Sequence, residues 1–301
     1  MIPVLVVVAI AGYLLGIHRG STLSSTDTGP LQVSSGTNLL VEYPSSWRSA
    51  TATPRLAGLM ITGARVLAPA GDSKSAGLLS GQLPAGEAGP LPATFLALVH
   101  GAPHVEVVNL EHVQAYRFSQ LNGYERTLDV YVIPTVGGTP TVLVCYAASG
   151  SSSFLAQCEQ IVTTVTLVGE SSFELSPNAG YAGQLGTLIG RLDKERLRLR
   201  REIRASTVPA RLSALASTLA SRFADVASSL ASLEPPQAAT AAQAALTTAL
   251  MDAHAVYMML SAAAAAEDAG AYGEAEQKVN TAEASVDTAL QNFALLGYNH
   301  T

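Results

Sequence analysis

From residue 177 to residue 296 the apolar positions recur at steps of three and four, in four successive stretches that each read as a helix. The second stretch shows the pattern most clearly: Leu212, Leu215, Leu219, Val226, Leu230 and Leu233, with a double step across Arg222 and Phe223. The fourth repeats it with Val279, Val286 and Phe293, and with Ala282, Ala289 and Leu296 between them. The third offers Leu246, Leu250, Tyr257, Leu260 and Ala264, and the first Tyr181, Leu185, Leu188, Leu192, Leu199 and Ile203. Each helix has one apolar stripe, and four such stripes bury against one another, so a four-helix bundle is predicted over 177–297. Stop and start chemistry marks the breaks. Ser206 and Thr207 precede Pro209, whose missing N–H is harmless in a first turn. Glu234 is held out of the helical region by Pro235. Ala269-Gly270 reads as the hinge before the last helix, and Gly297 as its closing glycine.

Before residue 177 the period changes. Alternating or β-branched runs at 38–44, 59–67, 77–83, 105–110, 112–118, 126–133 and 141–146 read as strands. A turn over 44–47 carries the single tryptophan, Trp47, and Asn122-Gly123 and Gly137-Gly138 are turn signals. Short helices are predicted at 92–100 and 153–160, and a closing strand at 161–168. Helices on an antiparallel sheet place this module in the α+β class.

Residues 2–17 form an uninterrupted apolar or weakly polar run that ends at His18 and Arg19. As a helix it spans about 24 Å against a hydrocarbon core of about 30 Å. A signal peptide would need a basic leader and a small-residue cleavage site, and a buried core helix would not be followed by a Ser/Thr/Gly-rich stretch. The expected reading is a single-pass membrane anchor over 1–17 whose true start lies slightly upstream of Met1, followed by a flexible tether over 18–37. Arg19 alone would place the body in the cytoplasm, whereas the cysteine pair and the tether favour an extracytoplasmic body, which is the reading adopted. The complete expectation is α+β: anchor, tether, an antiparallel-sheet α/β/α module over 38–168, and an all-α four-helix bundle over 177–297.

Charge is uneven along the chain. Arg191, Lys194, Arg196, Arg198, Arg200, Arg201 and Arg204 form a basic strip on the first bundle helix, against Asp193, Glu195 and Glu202. It reads either as a solvated face partly paired with acidic neighbours or as a strip that meets anionic lipid or an acidic polymer. A net charge of −6 and the absence of a reading motif argue against nucleic acid as a partner.

Two cysteines follow a strand and a helix. Cys145 ends a predicted strand and Cys158 lies on the next helix, a unit able to bring the thiols together as a disulfide; two buried free thiols are the alternative. Other chemistry is thin. His100 and His104 have helical metal spacing, but Gly101 and Pro103 break a helix between them, and His112 stands on a strand. His254 falls on the stripe of the third bundle helix, where a hydrogen-bonded edge histidine is expected. Gly71-Asp72-Ser73 echoes an esterase nucleophile block, but Asp252-Ala253-His254 has the wrong spacing to complete it. Gly-x-Ser-x-Gly, P-loop, dinucleotide and Cys-x-x-Cys patterns are absent, as are the Glu-x-x-His pairs of a di-iron bundle. No catalytic, metal or cofactor residue is therefore assigned.

The strand into VEYPSSW, the short mid-domain helix and TVLVCYAASGSSSFLAQCEQIVTTVTL resemble the PsbP/Mog1-like α/β/α module found in bacterial membrane-anchored envelope proteins. The resemblance covers roughly residues 38–168 and implies a non-enzymatic binding or assembly role; no family binding residue carries over to this chain. The expected function is a non-catalytic, membrane-anchored envelope protein whose partner is an envelope protein or an anionic lipid or polymer. The alternative is a small-molecule or lipid carrier or sensor with a pocket in the bundle or sheet, for which Tyr181, His254, Tyr257 and Met258 would be lining residues.

Overall fold

The computed structural model describes residues 31–35, 38–51, 53–70, 74–100, 103–149 and 151–298. The expected anchor over 1–17 lies outside them, as does most of the expected tether. Among the described residues no helix is long and apolar enough to cross a membrane.

Ten strands and two short helices come first: β1 (Leu31–Ser35), β2 (Leu39–Pro44), β3 (Trp47–Ala50), β4 (Thr62–Pro69), β5 (Gly77–Gln82), α1 (Ala93–Leu96), β6 (Val105–Asn109), β7 (Gln114–Gly123), β8 (Arg126–Ile133), β9 (Thr141–Ala148), α2 (Ser152–Thr163) and β10 (Thr166–Leu167). Four long helices follow: α3 (Ala179–Ala205), α4 (Pro209–Ala231), α5 (Thr240–Ala265), entered through a 3-10 turn at Gln237–Ala239, and α6 (Ala269–Leu295). The fold is thus α+β with antiparallel sheets and a C-terminal helical region.

The main sheet has the order β3-β4-β5-β9-β8-β7-β6, and a small second sheet has the order β1-β2-β10. All pairings are antiparallel. Alternation sorts the central strands onto two faces. Leu143, Cys145 and Ala147 of β9 share one core with Trp47, Tyr131 and the buried side of α2. Val142, Val144 and Tyr146 turn the other way, into a core that also holds Phe95 of α1 and continues through Leu175, Leu296 and Tyr298 into the helices. Burial on both faces explains why β9 reads as an unbroken apolar run rather than an alternating one.

Several boundaries differ from expectation. Residues 31–35, expected as tether, pair with β2 from Leu31↔Pro44 to Ser35↔Leu40, although Leu31 and Val33 are exposed. This edge strand is held by backbone pairing and carries no burial signal in its sequence. Trp47 begins β3 instead of ending a turn, because its ring is buried and stacked on Phe154 of α2, 5.4 Å between centroids. The expected closing strand over 161–168 begins as helix: Ile161 and Val162 bury their side chains in the last turn of α2, which ends at Thr163, and only Thr166–Leu167 pairs with β2.

In the bundle, the expected stripes of α5 and α6 are buried. The stripe of α4 is rotated: Ala216, Leu219, Ala220, Phe223, Ala227 and Leu230 face inward, while Leu212, Leu215 and Val226 are half-buried. Phe223 stacks on Tyr257 of α5 at 5.6 Å, and small alanines beside it permit the close approach. On α3, Ile189 is buried and Leu188 is half-buried.

Candidate functional site

Cys145 and Cys158 form a disulfide, with Cα atoms 5.9 Å apart, between the central strand β9 and α2. Both are fully buried among Leu143, Leu155 and Val162. The bond therefore fixes α2 on the sheet from inside the core.

The basic strip does not act as one surface. Arg196 and Arg200 both pair with Glu283 of α6, and Arg196 also reaches Asp287 at 2.8 Å. Arg198 pairs along its own helix with Glu195 and Glu202. Arg191, Lys194, Arg201 and Arg204 remain exposed. Glu283 is 3% exposed and also accepts a hydrogen bond from the Tyr257 hydroxyl at 2.7 Å. Burial pulls the Arg196 guanidinium down, but its hydrogen bond to Asp287 and the charges of Glu283 and Asp287 outweigh that, so its proton is held more tightly than usual. A buried carboxylate held by two guanidinium groups and a phenol is a strut between α3, α5 and α6.

A second ionic group lies on the α2 side of the sheet. Arg117 of β7 contacts Glu159 at 2.8 Å, Glu106 at 3.3 Å and Asp129 at 3.6 Å, and its guanidinium sits over the Tyr131 ring. Asp129 also accepts from the backbone N–H of Gln120 at 2.6 Å, which pins a bulge in β7. Three carboxylates around one arginine describe a structural clamp.

The histidines stay apart. His100 and His104 are exposed, and His112 lies beside Glu111 at 3.9 Å. His254 is half-buried, and its Nδ1 is 3.0 Å from the carbonyl of Ala220. Among the described residues no group of three or more His, Cys, Asp or Glu could hold a metal ion. Gly71-Asp72-Ser73 lies outside the described residues. The expected bundle pocket is not assembled from its four residues. Tyr181 donates to Gln243 at 2.7 Å, Tyr257 is engaged by Glu283, His254 faces a carbonyl, and Met258 is exposed.

A cleft of about 320 Å³ lies elsewhere, between the sheet and the bundle. Leu83 and Pro90 line it from the segment after β5, Tyr116 and Val132 from the sheet, and Ala241 and Leu296 from the bundle. Gly89 comes so close to α6 that a Cβ would stand 2.9 Å from Asn292 Oδ1, so this segment is seated on the bundle. Tyr116 is 1% exposed, and its hydroxyl makes no hydrogen bond to any described residue. Burial, with Tyr298 nearby as a smaller contribution, pushes that hydroxyl's pKa well above the ordinary tyrosine value, so it stays a neutral donor. Sequence reasoning missed this site because its walls come from positions between 83 and 296 that share no local motif.

No family model matches the chain, and no curated protein matches it.

Proposed function

We propose that the protein is a non-catalytic, membrane-anchored envelope protein for binding or assembly, with a PsbP/Mog1-like module and a helical bundle held outside the cytoplasm by residues 1–17. The observation that carries this reading is the Cys145–Cys158 disulfide in the sheet core, since such bonds persist in oxidising compartments and are rare in the cytosol. The clamped state of the Glu283 and Arg117 groups supports a non-catalytic role. The exposed cations Arg191, Lys194, Arg201 and Arg204 support an anionic lipid or polymer, or an acidic envelope protein, as the partner.

The test is topology. Both native cysteines are buried, so the reporter is Ser228→Cys on the exposed face of α4. In intact cells an impermeant maleimide labels that cysteine if the body is outside, and deletion of residues 2–17 then releases the protein from the membrane fraction. Labelling only after lysis, with the native pair reduced, overturns the proposal.

A second reading, a small-molecule or lipid carrier or sensor, is favoured by the apolar cleft between sheet and bundle.

A further inference from the structure

Where α3 runs beside α4 the two helices leave a groove, made of two adjoining hollows of about 550 and 460 Å³ that share Leu188 and Ser229. The first hollow lies beside the start of α3 and the end of α4 and is lined by Gly180, Gly183, Leu188 and Leu233. Gly183 is exposed and leaves it open, since a Cβ there would meet nothing within 4 Å. A glycine inside a helix is unfavourable relative to alanine, and packing within the chain gives this one no reason to be glycine. The hydroxyls along the walls are bonded to their own helices. Thr187 donates to the Gly183 carbonyl, Ser229 to that of Asp225 and Ser232 to that of Ser229, so none of the three needs a partner from the groove.

The second hollow keeps apolar walls, Leu188, Leu192 and Val226, and adds charge. Both carboxylates that line it are committed: Asp225 pairs with Arg222 at 3.5 Å, and Glu195 accepts from Arg198 at 2.8 Å. Arg191 and Lys194 also line it; they are exposed and make no ion pair among the described residues. One end of the groove is therefore uncharged and largely apolar, and the other presents two cations that a ligand can reach from solvent. From Gly180 to Lys194 it follows about 21 Å of helix.

We propose that this groove binds an anionic single-chain amphiphile, with its alkyl chain over Gly183 and Leu188 and its anionic head against Arg191 and Lys194. The assignment rests on the anionic-lipid partner proposed above and deepens it from a charged surface to a site with a chain contact. Neither half suffices alone. Two exposed cations hold an anion weakly against water and salt, and an apolar wall does not select a head group.

The experiment measures binding of decyl phosphate, below its micellar concentration, and of decanol and butyl phosphate to the purified full chain. The same probes are applied to the double variant Arg191→Gln/Lys194→Gln and to Gly183→Leu. The first removes two exposed charges without partners, and the second places a better helix former where there is open space, so the fold is retained in both. Decyl phosphate should bind the wild type more tightly than either other probe. The double glutamine variant should weaken decyl phosphate about five- to tenfold and leave decanol unchanged. Gly183→Leu should weaken decyl phosphate and decanol about tenfold, while its own thermal midpoint rises. Decanol binding as tightly as decyl phosphate, or decyl phosphate binding indifferent to the glutamine pair, overturns the head contact. Butyl phosphate binding as tightly as decyl phosphate, or decyl phosphate binding indifferent to Gly183→Leu, overturns the chain contact. Vesicles separate this site from the reading it rests on. Stronger binding to phosphatidylglycerol than to phosphatidylcholine vesicles, without decyl phosphate binding, overturns the groove and leaves the anionic-lipid partner standing. No decyl phosphate binding and no such preference overturns both.

Discussion

The backbone N–H of Asn178 donates to the hydroxyl of Tyr298 at 3.2 Å, tying the residue that caps α3 to the last described residue of the chain. Each partner is also committed at its own helix end. Asn178 Oδ1 accepts from the N–H of Tyr181 at 2.9 Å and so caps α3. Tyr298 follows Gly297, and its N–H returns to the carbonyl of Phe293 at 2.9 Å while that of Gly297 returns to Ala294 at 3.0 Å. That pair of bonds is a Schellman closure of α6. The rings of Tyr181, Phe293 and Tyr298 then pack edge-on or tilted, with Tyr181 and Tyr298 centroids 5.4 Å apart. The first and last helix ends of the bundle thus stabilise one another beside the sheet.

Gly297 is the weak point of this junction. Its φ is +87°, and a Cβ would stand 2.8 Å from Pro177 Cγ. Gly297→Ala should lower stability by about 1–3 kcal/mol, through both backbone strain and the clash. Gly138 has a φ of +78° but open space around it, so Gly138→Ala should show the backbone part alone, about 1 kcal/mol. Urea unfolding midpoints of the two variants check the difference; equal losses would remove the steric contribution.

Glu283 anchors three helices, and truncating it leaves Arg200 and the Tyr257 hydroxyl without their shared acceptor. Arg196 keeps Asp287. Glu283→Ala should therefore cost about 3 kcal/mol, the lower end for breaking a buried pair. Glu283→Gln, which can still accept from Tyr257, should lose less. Denaturant unfolding followed by helical circular dichroism measures both, and an Ala variant within about 0.5 kcal/mol of wild type would show that the cluster is dispensable.

How far these features can be read from sequence depends on where their determinants lie. The stripes of α5 and α6 are legible because helical periodicity is local to each segment. Glu283 is not, since a glutamate among polar residues reads as solvated, and its burial is set by Tyr257 and Arg196 on other helices. The hinge before α6 was displaced because the residue in the left-handed position after α5 is Glu267, φ +56°, and not a glycine. Gly270, expected as the hinge, lies in the first turn of α6, where its N–H is capped by Asp268 at 3.0 Å. The turn expected at Asn122-Gly123 moved for a comparable reason. The bulge between Phe118 and Leu121 sets the register Gly123↔Arg126, which leaves Tyr124 and Glu125 as the turn. Gly123 is instead a strand residue under Val99, with a Cβ position only 3.3 Å from Val99 Cγ1.

Those displaced turns leave two glutamates in a backbone region that favours glycine. Glu125 has φ +59° and Glu267 has φ +56°. Tyr124, φ +58°, is held by its hydroxyl's bond to the Ala57 carbonyl at 2.6 Å, so it is the less replaceable residue of its turn. Glu125→Gly and Glu267→Gly should each raise stability by about 1 kcal/mol, because a two-residue hairpin turn and a helix C-terminus both prefer glycine at these positions. The sites are far apart in sequence and share no partner, so the double variant should be additive within about 0.5 kcal/mol. A loss of stability at either position would mean that the glutamate side chain contributes more than its backbone costs.

The buried phenols predict how the fold fails in alkali. Burial raises the pKa values of Tyr116, Tyr131, Tyr181 and Tyr257 above the ordinary tyrosine value of 10.0, and the charge of Glu283 adds to the effect at Tyr257. In the unfolded chain these hydroxyls lose their protons near pH 10, while the folded state still holds them, so above that pH the folded state binds more protons. Their contribution is therefore fully present below about pH 10 and is lost as the pH rises toward the folded values, at up to about 1.4 kcal/mol per pH unit for each group. Four such groups make the loss steep, and unfolding should be cooperative in pH. Tyrosinate absorbance from the buried phenols should rise together with the loss of circular dichroism. Tyr131→Phe removes one of the four together with a hydroxyl that has no partner among the described residues, and it should move the alkaline midpoint upward. Full tyrosinate absorbance reached while the helical signal is intact would show that these side chains are open to solvent, contrary to the packing of both cores.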